Sequence, residues 1–203
     1  MPHPYSSSGW QPPPLPPAAP SALTAARRRV SRMQEAAARA ELHQELRHLV
    51  GRVQGLLAGR GILELACGVG WWTRQLAEAG QSVLAMDDDA DLVRAAAAGR
   101  YPAGRVRFVA ADLMAVERLP GACDAGFAAL LTSGLGEPEA AAVLAALHRR
   151  LGPGAQVVLV DERGAGGGAG EAAVRRRLRD IAPDAQRVKL DLGAHFWCLC
   201  YTL

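Results

Sequence analysis

Short apolar runs alternate with longer segments of helical periodicity through most of this chain, and together they predict a series of strands and helices. The predicted strands are Ile62–Leu65, Ser82–Met86, Val106–Ala110, a strand from Asp124 to Leu131, Gln156–Val160, Arg187–Leu192 and Phe196–Thr202. The predicted helices between them are Trp72–Ala79, Ala90–Ala98, Pro138–Arg150 and Glu171–Ala182. Because helices separate successive strands, we expect an α/β fold with a parallel sheet and helices on both faces. The last two strands follow one another directly and read as a hairpin.

The region before the first strand divides by composition into two parts. Residues 1–20 carry most of the prolines and predict a disordered leader. Residues 21–58 are rich in Ala, Arg, Glu and Leu with an apolar helical stripe, and predict an N-terminal helical extension. This extension either packs on the domain of residues 59–203, or acts as a lid or a dimer contact.

Charge and composition narrow the class of protein. The formal charge of the 203 residues is only +3, and Lys189 is the single lysine, so nothing favours nucleic-acid binding. No apolar run approaches the length of a membrane span, and the first residues lack a charged segment followed by an apolar one. We therefore expect a cytoplasmic protein that binds neither membrane nor nucleic acid. The four cysteines lack zinc-ligand spacing, so no metal site is expected.

The most informative segment is the run of residues 61–73, which predicts a buried strand, a glycine turn and the start of a helix. Gly68 and Gly70 let the backbone approach a ligand closely. An acid, Asp87, ends the next predicted strand, where it can accept hydrogen bonds from ribose hydroxyls. This combination is how α/β proteins hold the adenosine half of a cofactor.

Further motifs follow in a fixed order. Glu64-Leu65-Ala66-Cys67-Gly68-Val69-Gly70 is followed by Asp87, by Ala111-Asp112-Leu113, by Cys123-Asp124-Ala125, and by the helix and turn of residues 144–154. From about residue 42 to the end, this order resembles the class I S-adenosylmethionine-dependent methyltransferases. The resemblance implies a Rossmann-like doubly wound sheet of seven strands, mostly parallel, with an antiparallel last strand. It also implies S-adenosyl-L-methionine as the cofactor.

The resemblance assigns the first motif to the methionine end of the cofactor. Glu64 is expected either to contact the amino group through water or to cap the turn, and Gly68 and Gly70 to pass close to the methionine moiety. Ala66 stands where the family usually has its first glycine. One of the two adjacent tryptophans is expected to face the cofactor and the other to join the core, and we assign Trp72 to the cofactor.

The later motifs are assigned by the resemblance to the adenosine end. Asp87 is expected to bind the ribose, Asp88 to lie beside the adenine, and Asp89 to cap the following helix. Asp112 is expected to accept from the adenine amino group, and the Leu113 N–H to donate to a ring nitrogen.

The catalytic residue stays unassigned, because aligning the methyl donor and the acceptor can supply most of the rate. A general base is needed only when the acceptor carries a proton at neutral pH. Candidates after the fourth and fifth strands are Thr132, Ser133, Asp161 and Glu162. His195, in the turn of the terminal hairpin, is the candidate base if that turn lies at the same edge of the sheet.

The predicted function is methyl transfer to an oxygen, nitrogen or carbon atom of a small-molecule acceptor. A second hypothesis is a degenerate cofactor-binding domain that serves as a partner or scaffold. A third is an NAD(P)-dependent oxidoreductase, although Thr73 stands near where that class needs a third glycine. Oligomeric state is open, with a dimer through the N-terminal helices as one option.

Overall fold

The computed structural model of the chain describes residues 22–163, 170–190 and 193–203. The predicted leader of residues 1–20 and the last two residues of the predicted strand Arg187–Leu192 lie outside the described residues. The chain divides into two compact units, Met1–Glu41 and Leu42–Leu203, and the second unit contains the sheet. Within the described ranges, no helix combines the length and hydropathy of a membrane span.

Seven strands and six α-helices are described. The strands are β1 (Gly61–Leu65), β2 (Ser82–Asp87), β3 (Val106–Ala110), β4 (Ala125–Ala129), β5 (Gln156–Glu162), β6 (Gln186–Leu190) and β7 (Phe196–Thr202). The helices are α1 (Ala22–Leu57), α2 (Trp71–Ala79), α3 (Ala90–Ala97), α4 (Leu131–Gly134), α5 (Glu137–Leu151) and α6 (Glu171–Ile181). A 3₁₀ helix, Leu113–Arg118, follows β3.

The strands form one sheet in the order β3-β2-β1-β4-β5-β7-β6. The first five strands along the chain are parallel, and β7 runs antiparallel to both β5 and β6. The predicted seven-stranded, mostly parallel sheet with a reversed last strand is therefore confirmed. Because β7 reverses direction, β6 points the same way as β5, and the turn before β7 lies at the carboxyl edge of the parallel strands.

Apolar side chains cover both faces of the sheet, as a parallel sheet between helices requires. Alternate residues of β1 serve the two faces: Ile62 packs in one buried cluster, and Leu63 and Leu65 pack in the other. Cys198 and Cys200 of β7 lie in the same cluster as Ile62, so the two cysteines share a face of the sheet.

The last turns of α1 belong to the unit that contains the sheet. Leu49, Val53 and Leu57 are fully buried in the cluster that includes Ile62. The helix continues through Gly51 and Gly55 to Leu57, because this packing outweighs the low helix propensity of the two glycines.

Strand β4 is shorter than the sequence predicts. The strand was expected to reach Leu131, but it ends at Ala129 because Leu130 adopts a left-handed backbone conformation with φ of 57°. The helical turn α4 begins at the next residue. The 3₁₀ helix after β3 has no counterpart in the predicted elements.

Candidate active site at the carboxyl edge of the sheet

The glycine loop between β1 and α2 forms the centre of the site. Gly68 and Gly70 have φ of 53° and 80°, a region that favours glycine. A Cβ at Gly68 would meet no atom within 4 Å, so the backbone is open on that side. A Cβ at Gly70 would instead come within 2.4 Å of the Tyr101 hydroxyl oxygen, so only glycine fits there. Ala66 also has a positive φ, 52°, which explains why the resembled family places a glycine at this position.

Asp87, at the end of β2, is tied to this loop. One carboxylate oxygen accepts a hydrogen bond of 2.8 Å from the Gly68 N–H, and the other accepts one of 3.0 Å from the Asp89 N–H. The side chain is buried, yet a carboxylate has further lone pairs that can accept from ligand hydroxyls. The acid predicted to bind ribose therefore also holds the glycine loop in place.

Glu64 carries a buried carboxyl group directly below the loop. Its side chain is 1% exposed, and within the described ranges Oε2 has no hydrogen-bond partner. Burial raises the pKa of Glu64 to about 8; the nearby Thr73 hydroxyl partly offsets that rise, and the charge of Asp87 adds to it. Within the part of the chain that the structure describes, the buried Thr73 Oγ1 also has no partner that meets hydrogen-bond geometry. Two unsatisfied polar atoms at this point fit a ligand that brings its own hydrogen-bonding groups, such as an ammonium.

The residues expected at the adenosine end lie along β2 and β3. Asp88 is exposed, and Asp89 caps α3 by accepting from the N–H groups of Asp91 and Leu92, as predicted for Asp89. Asp112 is exposed and accepts from the Met114 N–H at the start of the 3₁₀ helix. Leu113 is half-buried against the core.

The two tryptophans at the start of α2 differ in exposure. Trp72 is half-buried, and its ring packs against Phe127 with a centroid distance of 4.9 Å. Trp71 is 43% exposed, and its ring meets the edge of Trp72 at 5.0 Å and an angle of 90°. Trp72 thus contacts the core, and Trp71 faces outward at the carboxyl edge.

The ends of β4 and β5 are joined by a buried carboxylate. Asp161 accepts hydrogen bonds from the Thr132 hydroxyl at 2.6 Å and from the N–H groups of Ser133 and Glu162, each at 2.8 Å. Asp161 is 1% exposed, and Thr132 is also buried. These two residues hold the turn after β4, and Leu130 projects from it with half of its surface exposed.

A second carboxylate holds the turn before β7. Glu45 of α1 accepts hydrogen bonds from the N–H groups of Ala194, His195 and Phe196, and its Oε2 lies 2.8 Å from His195 Nδ1. Burial acts to raise the pKa of Glu45. The hydrogen bonds from the His195 side chain and from the Phe196 and His195 N–H groups outweigh burial, so the pKa of Glu45 is lowered. His195 therefore lies at the carboxyl edge. Its Nδ1 atom contacts Glu45, and its Nε2 atom does not.

Three residues of this site were not indicated by the sequence. Glu45 lies on the predicted helical extension, 150 positions before His195, and nothing local marks it as a partner of that histidine. Thr73 was noted only as a departure from a glycine pattern, and Tyr101 lies in a loop without a motif. Only the Thr73 position carried a usable signal, since it falls on the first turn of the helix after the glycine loop.

Part of the chain matches a known protein family. Residues 62–154 match the family model described as "Methyltransferase domain". No curated protein matches the chain.

Solved structures share the fold of the chain at low identity. DhpI in complex with SAH is 23% identical, with a TM-score of 0.59, over 83% of this chain and 85% of that one. Magnesium protoporphyrin IX methyltransferase (ChlM) from Synechocystis PCC 6803 with bound SAM is 21% identical, with a TM-score of 0.61, over 81% and 80%. The N-methyltransferase NodS from Bradyrhizobium japonicum WM9 is 14% identical, with a TM-score of 0.59, over 78% and 96%.

The family match covers the segment from β1 to the turn before β5, which includes the glycine loop, Asp87 and Asp112. The sheet order and the reversed β7 supply the rest of the fold. Residues 62–154 therefore match a methyltransferase domain, and the chain shares its fold with solved methyltransferases.

Proposed function

We propose that this protein binds S-adenosylmethionine at the glycine loop and methylates a small-molecule acceptor on oxygen, nitrogen or carbon. One observation carries the proposal: an open glycine loop lies between the buried Asp87 and the buried Glu64, whose Oε2 has no hydrogen-bond partner among the described residues. When bound, the cofactor supplies a methyl group activated by a sulfonium. The remaining chemistry belongs to the side chains at the carboxyl edge.

The residues at the loop fit the methionine end of the cofactor. Glu64 offers a carboxylate to the amino group, and this pairing would satisfy the orphaned Oε2. Gly68 leaves the backbone open to a ligand, beside the start of α2, whose N–H groups favour a carboxylate. Ala66 lies at this end of the loop, whereas Trp72, which was expected to face the cofactor, packs against Phe127 in the core.

The residues at the ends of β2 and β3 fit the adenosine end. Asp87 keeps acceptor capacity for the ribose hydroxyls beyond its two backbone hydrogen bonds. The exposed Asp88 and Asp112 flank the space for the adenine, with the Leu113 N–H as a donor.

An apolar rim supports a small organic acceptor. Five large apolar side chains are exposed in the segments that come directly after strands β1 to β4. They are Val69, Trp71, Leu92, Met114 and Leu130. Exposed apolar groups concentrated at one edge of a fold mark a ligand site more often than a random surface. Ligands of open α/β sheets bind at this edge.

If the acceptor is a hydroxyl, His195 is the base that we assign. Hydrogen bonding of Nδ1 to Glu45 leaves Nε2 as the proton acceptor of the neutral ring. Methyl transfer then forms the oxygen–carbon bond, breaks the sulfur–carbon bond with its electron pair left on sulfur, and passes the hydroxyl proton to Nε2. Asp161 and Thr132 are unsuited to this role, because both are buried and hydrogen-bonded to each other.

The test is calorimetric titration of the protein with S-adenosylmethionine and S-adenosylhomocysteine, with NAD as the control ligand. We expect micromolar binding of both sulfur compounds and none of NAD. Asp87→Ala should weaken binding about 10-fold to 100-fold, because hydrogen bonds to a carboxylate are lost. Asp91→Ala, an exposed aspartate on α3, is the matched control and should bind normally.

Transfer is then measured with methyl-labelled cofactor and a panel of phenols, carboxylates and amines. Labelled product from any acceptor class supports the enzyme. Binding without transfer to any of them favours the degenerate, cofactor-binding alternative. A folded protein that binds neither sulfur compound contradicts the proposal.

A further inference from the structure

A groove of about 370 Å³ separates the second half of α1 from the start of α2. All of its lining residues lie in the unit that contains the sheet. The lining is His43, Leu46, Arg47, Val50, Trp71 and Gln75. Its volume is within the range of small-molecule sites.

The groove opens at the same edge of the sheet as the glycine loop. Trp71 is the first residue of α2 and follows Gly70 directly. Helix α1 ends shortly before β1 begins, so its earlier residues extend toward the carboxyl edge, where Glu45 reaches the turn before β7. A ligand in the groove would therefore lie beside the cofactor loop.

Trp71 forms a wall that is already held in position. Its ring meets the edge of Trp72, and Trp72 packs against the buried Phe127. The facing wall, on α1, is aliphatic and consists of Leu46 and Val50. An aromatic face opposite branched aliphatic groups suits a flat apolar ring.

The groove lining includes a cationic side chain and no anionic one. It contains the Arg47 guanidinium, the His43 imidazole and the Gln75 amide, and no carboxylate. Within the described ranges, neither Arg47 nor His43 has a side-chain hydrogen bond or an ion pair. A guanidinium at the rim of an apolar groove matches the two oxygens of a carboxylate.

We propose that this groove binds the methyl acceptor, and that the acceptor is a planar aromatic acid whose carboxylate pairs with Arg47 and whose ring packs on Trp71. That the ligand is the methyl acceptor rests on the proposed function. That the ligand is an aromatic acid rests on the groove alone. His43 and Gln75 add hydrogen bonds to the carboxylate or to a ring substituent.

The test uses benzoate as the probe and benzyl alcohol as its uncharged counterpart, titrated by ligand-observed NMR with and without S-adenosylhomocysteine. We expect saturable benzoate binding at least 10-fold tighter than that of benzyl alcohol. Arg47→Gln should abolish this difference, and Trp71→Ala should weaken both ligands. Arg52→Gln, on the same helix but absent from the groove lining, is the matched control.

Three results would overturn the proposal. Benzoate and benzyl alcohol could bind alike, Arg47→Gln could leave benzoate binding unchanged, or benzoate could fail to saturate. If Arg47→Gln instead weakens S-adenosylhomocysteine and spares benzoate, Arg47 serves the carboxylate of the cofactor and the acceptor assignment is wrong. Failure of the wild-type protein to bind S-adenosylhomocysteine would contradict the proposed function. The benzoate titration without S-adenosylhomocysteine would still test whether the groove binds an aromatic acid.

Discussion

The Glu64 carboxyl group combines deep burial, an unpartnered oxygen and a pKa raised to about 8. Burial therefore favours the protonated form of Glu64 in the ligand-free protein. An ammonium group beside it would favour the carboxylate, because an opposite charge at close range stabilises the ionised form. Cofactor binding and the protonation of Glu64 are thus linked.

The first prediction is that S-adenosylmethionine binding at pH 7 releases a proton. The measurement is calorimetry in phosphate and in Tris, whose ionisation enthalpies differ. We expect the observed binding enthalpy to differ between the two buffers in the wild-type protein. Glu64→Gln should remove that difference and weaken binding. Equal enthalpies in the two buffers for the wild-type protein would contradict the linkage.

The second prediction concerns stability without ligand. Below the unfolded-state pKa of 4.5, Glu64 is protonated in both the folded and the unfolded protein. As the pH rises toward about 8, only the unfolded state ionises, so the free energy of unfolding falls by up to about 1.4 kcal/mol per pH unit. Urea denaturation from pH 5 to pH 8 should show Glu64→Gln gaining stability relative to the wild-type protein. A constant difference across that range would show that Glu64 does not titrate as proposed.

At the scale of elements, two carboxylates join parts of the chain that are distant in sequence. Asp161 joins the end of β5 to the turn after β4, and Glu45 joins α1 to the turn before β7. Each accepts hydrogen bonds from backbone N–H groups at the turn that it holds. Both contacts lie at the carboxyl edge of the sheet.

The third prediction tests the Glu45 contact. Glu45→Ala should lower the free energy of unfolding by about 1–3 kcal/mol, because the N–H groups of the turn lose a charged acceptor. Hydrogen exchange should accelerate at residues 194–196. Gln44→Ala, at an exposed neighbouring position, is the control and should change neither.

The same contact has a defined pH dependence. Because the folded-state pKa of Glu45 is lowered, its stabilisation is present above the usual carboxyl pKa and is lost as the pH falls through the lower value. The stability difference between Glu45→Ala and the wild-type protein should therefore shrink in acid. A difference that grows as the pH falls would contradict this assignment.

At the scale of the whole molecule, the boundary of the domain lies inside a helix. The unit that contains the sheet begins at Leu42, in the middle of α1. The last turns of α1 carry Leu49, Val53 and Leu57, which are all fully buried. The helical extension predicted for residues 21–58 is thus partly core.

The fourth prediction compares two truncations. A protein that starts at Leu42 should fold and bind S-adenosylhomocysteine within about twofold of the full chain. A protein that starts at Gly59 should fail to fold, since burial of each of those three side chains contributes about 1.5–3 kcal/mol. Circular dichroism and calorimetry measure both. Normal folding of the shorter protein would show that α1 is dispensable.

Much of the fold was predictable because its signals are local. Apolar runs, glycine turns and the Asp89 cap depend on neighbouring residues, and they predicted the existence and order of the seven strands and the sheet direction correctly. The end of β4 was predicted wrongly, because Leu130 and Leu131 are as apolar as a strand residue. The strand stops there because Asp161, from β5, holds the following turn.

The amino-acid sequence was enough to predict the α/β class, the glycine loop with its acid after β2, and the resemblance to a methyltransferase family. These depend on residue types at fixed spacing, which the chain carries wherever it folds. Only the tertiary structure decided the burial of Glu64, the outward position of Trp71, and the pairing of Glu45 with His195. Those properties depend on which distant segments pack together, and burial and charge then set the pKa of each group.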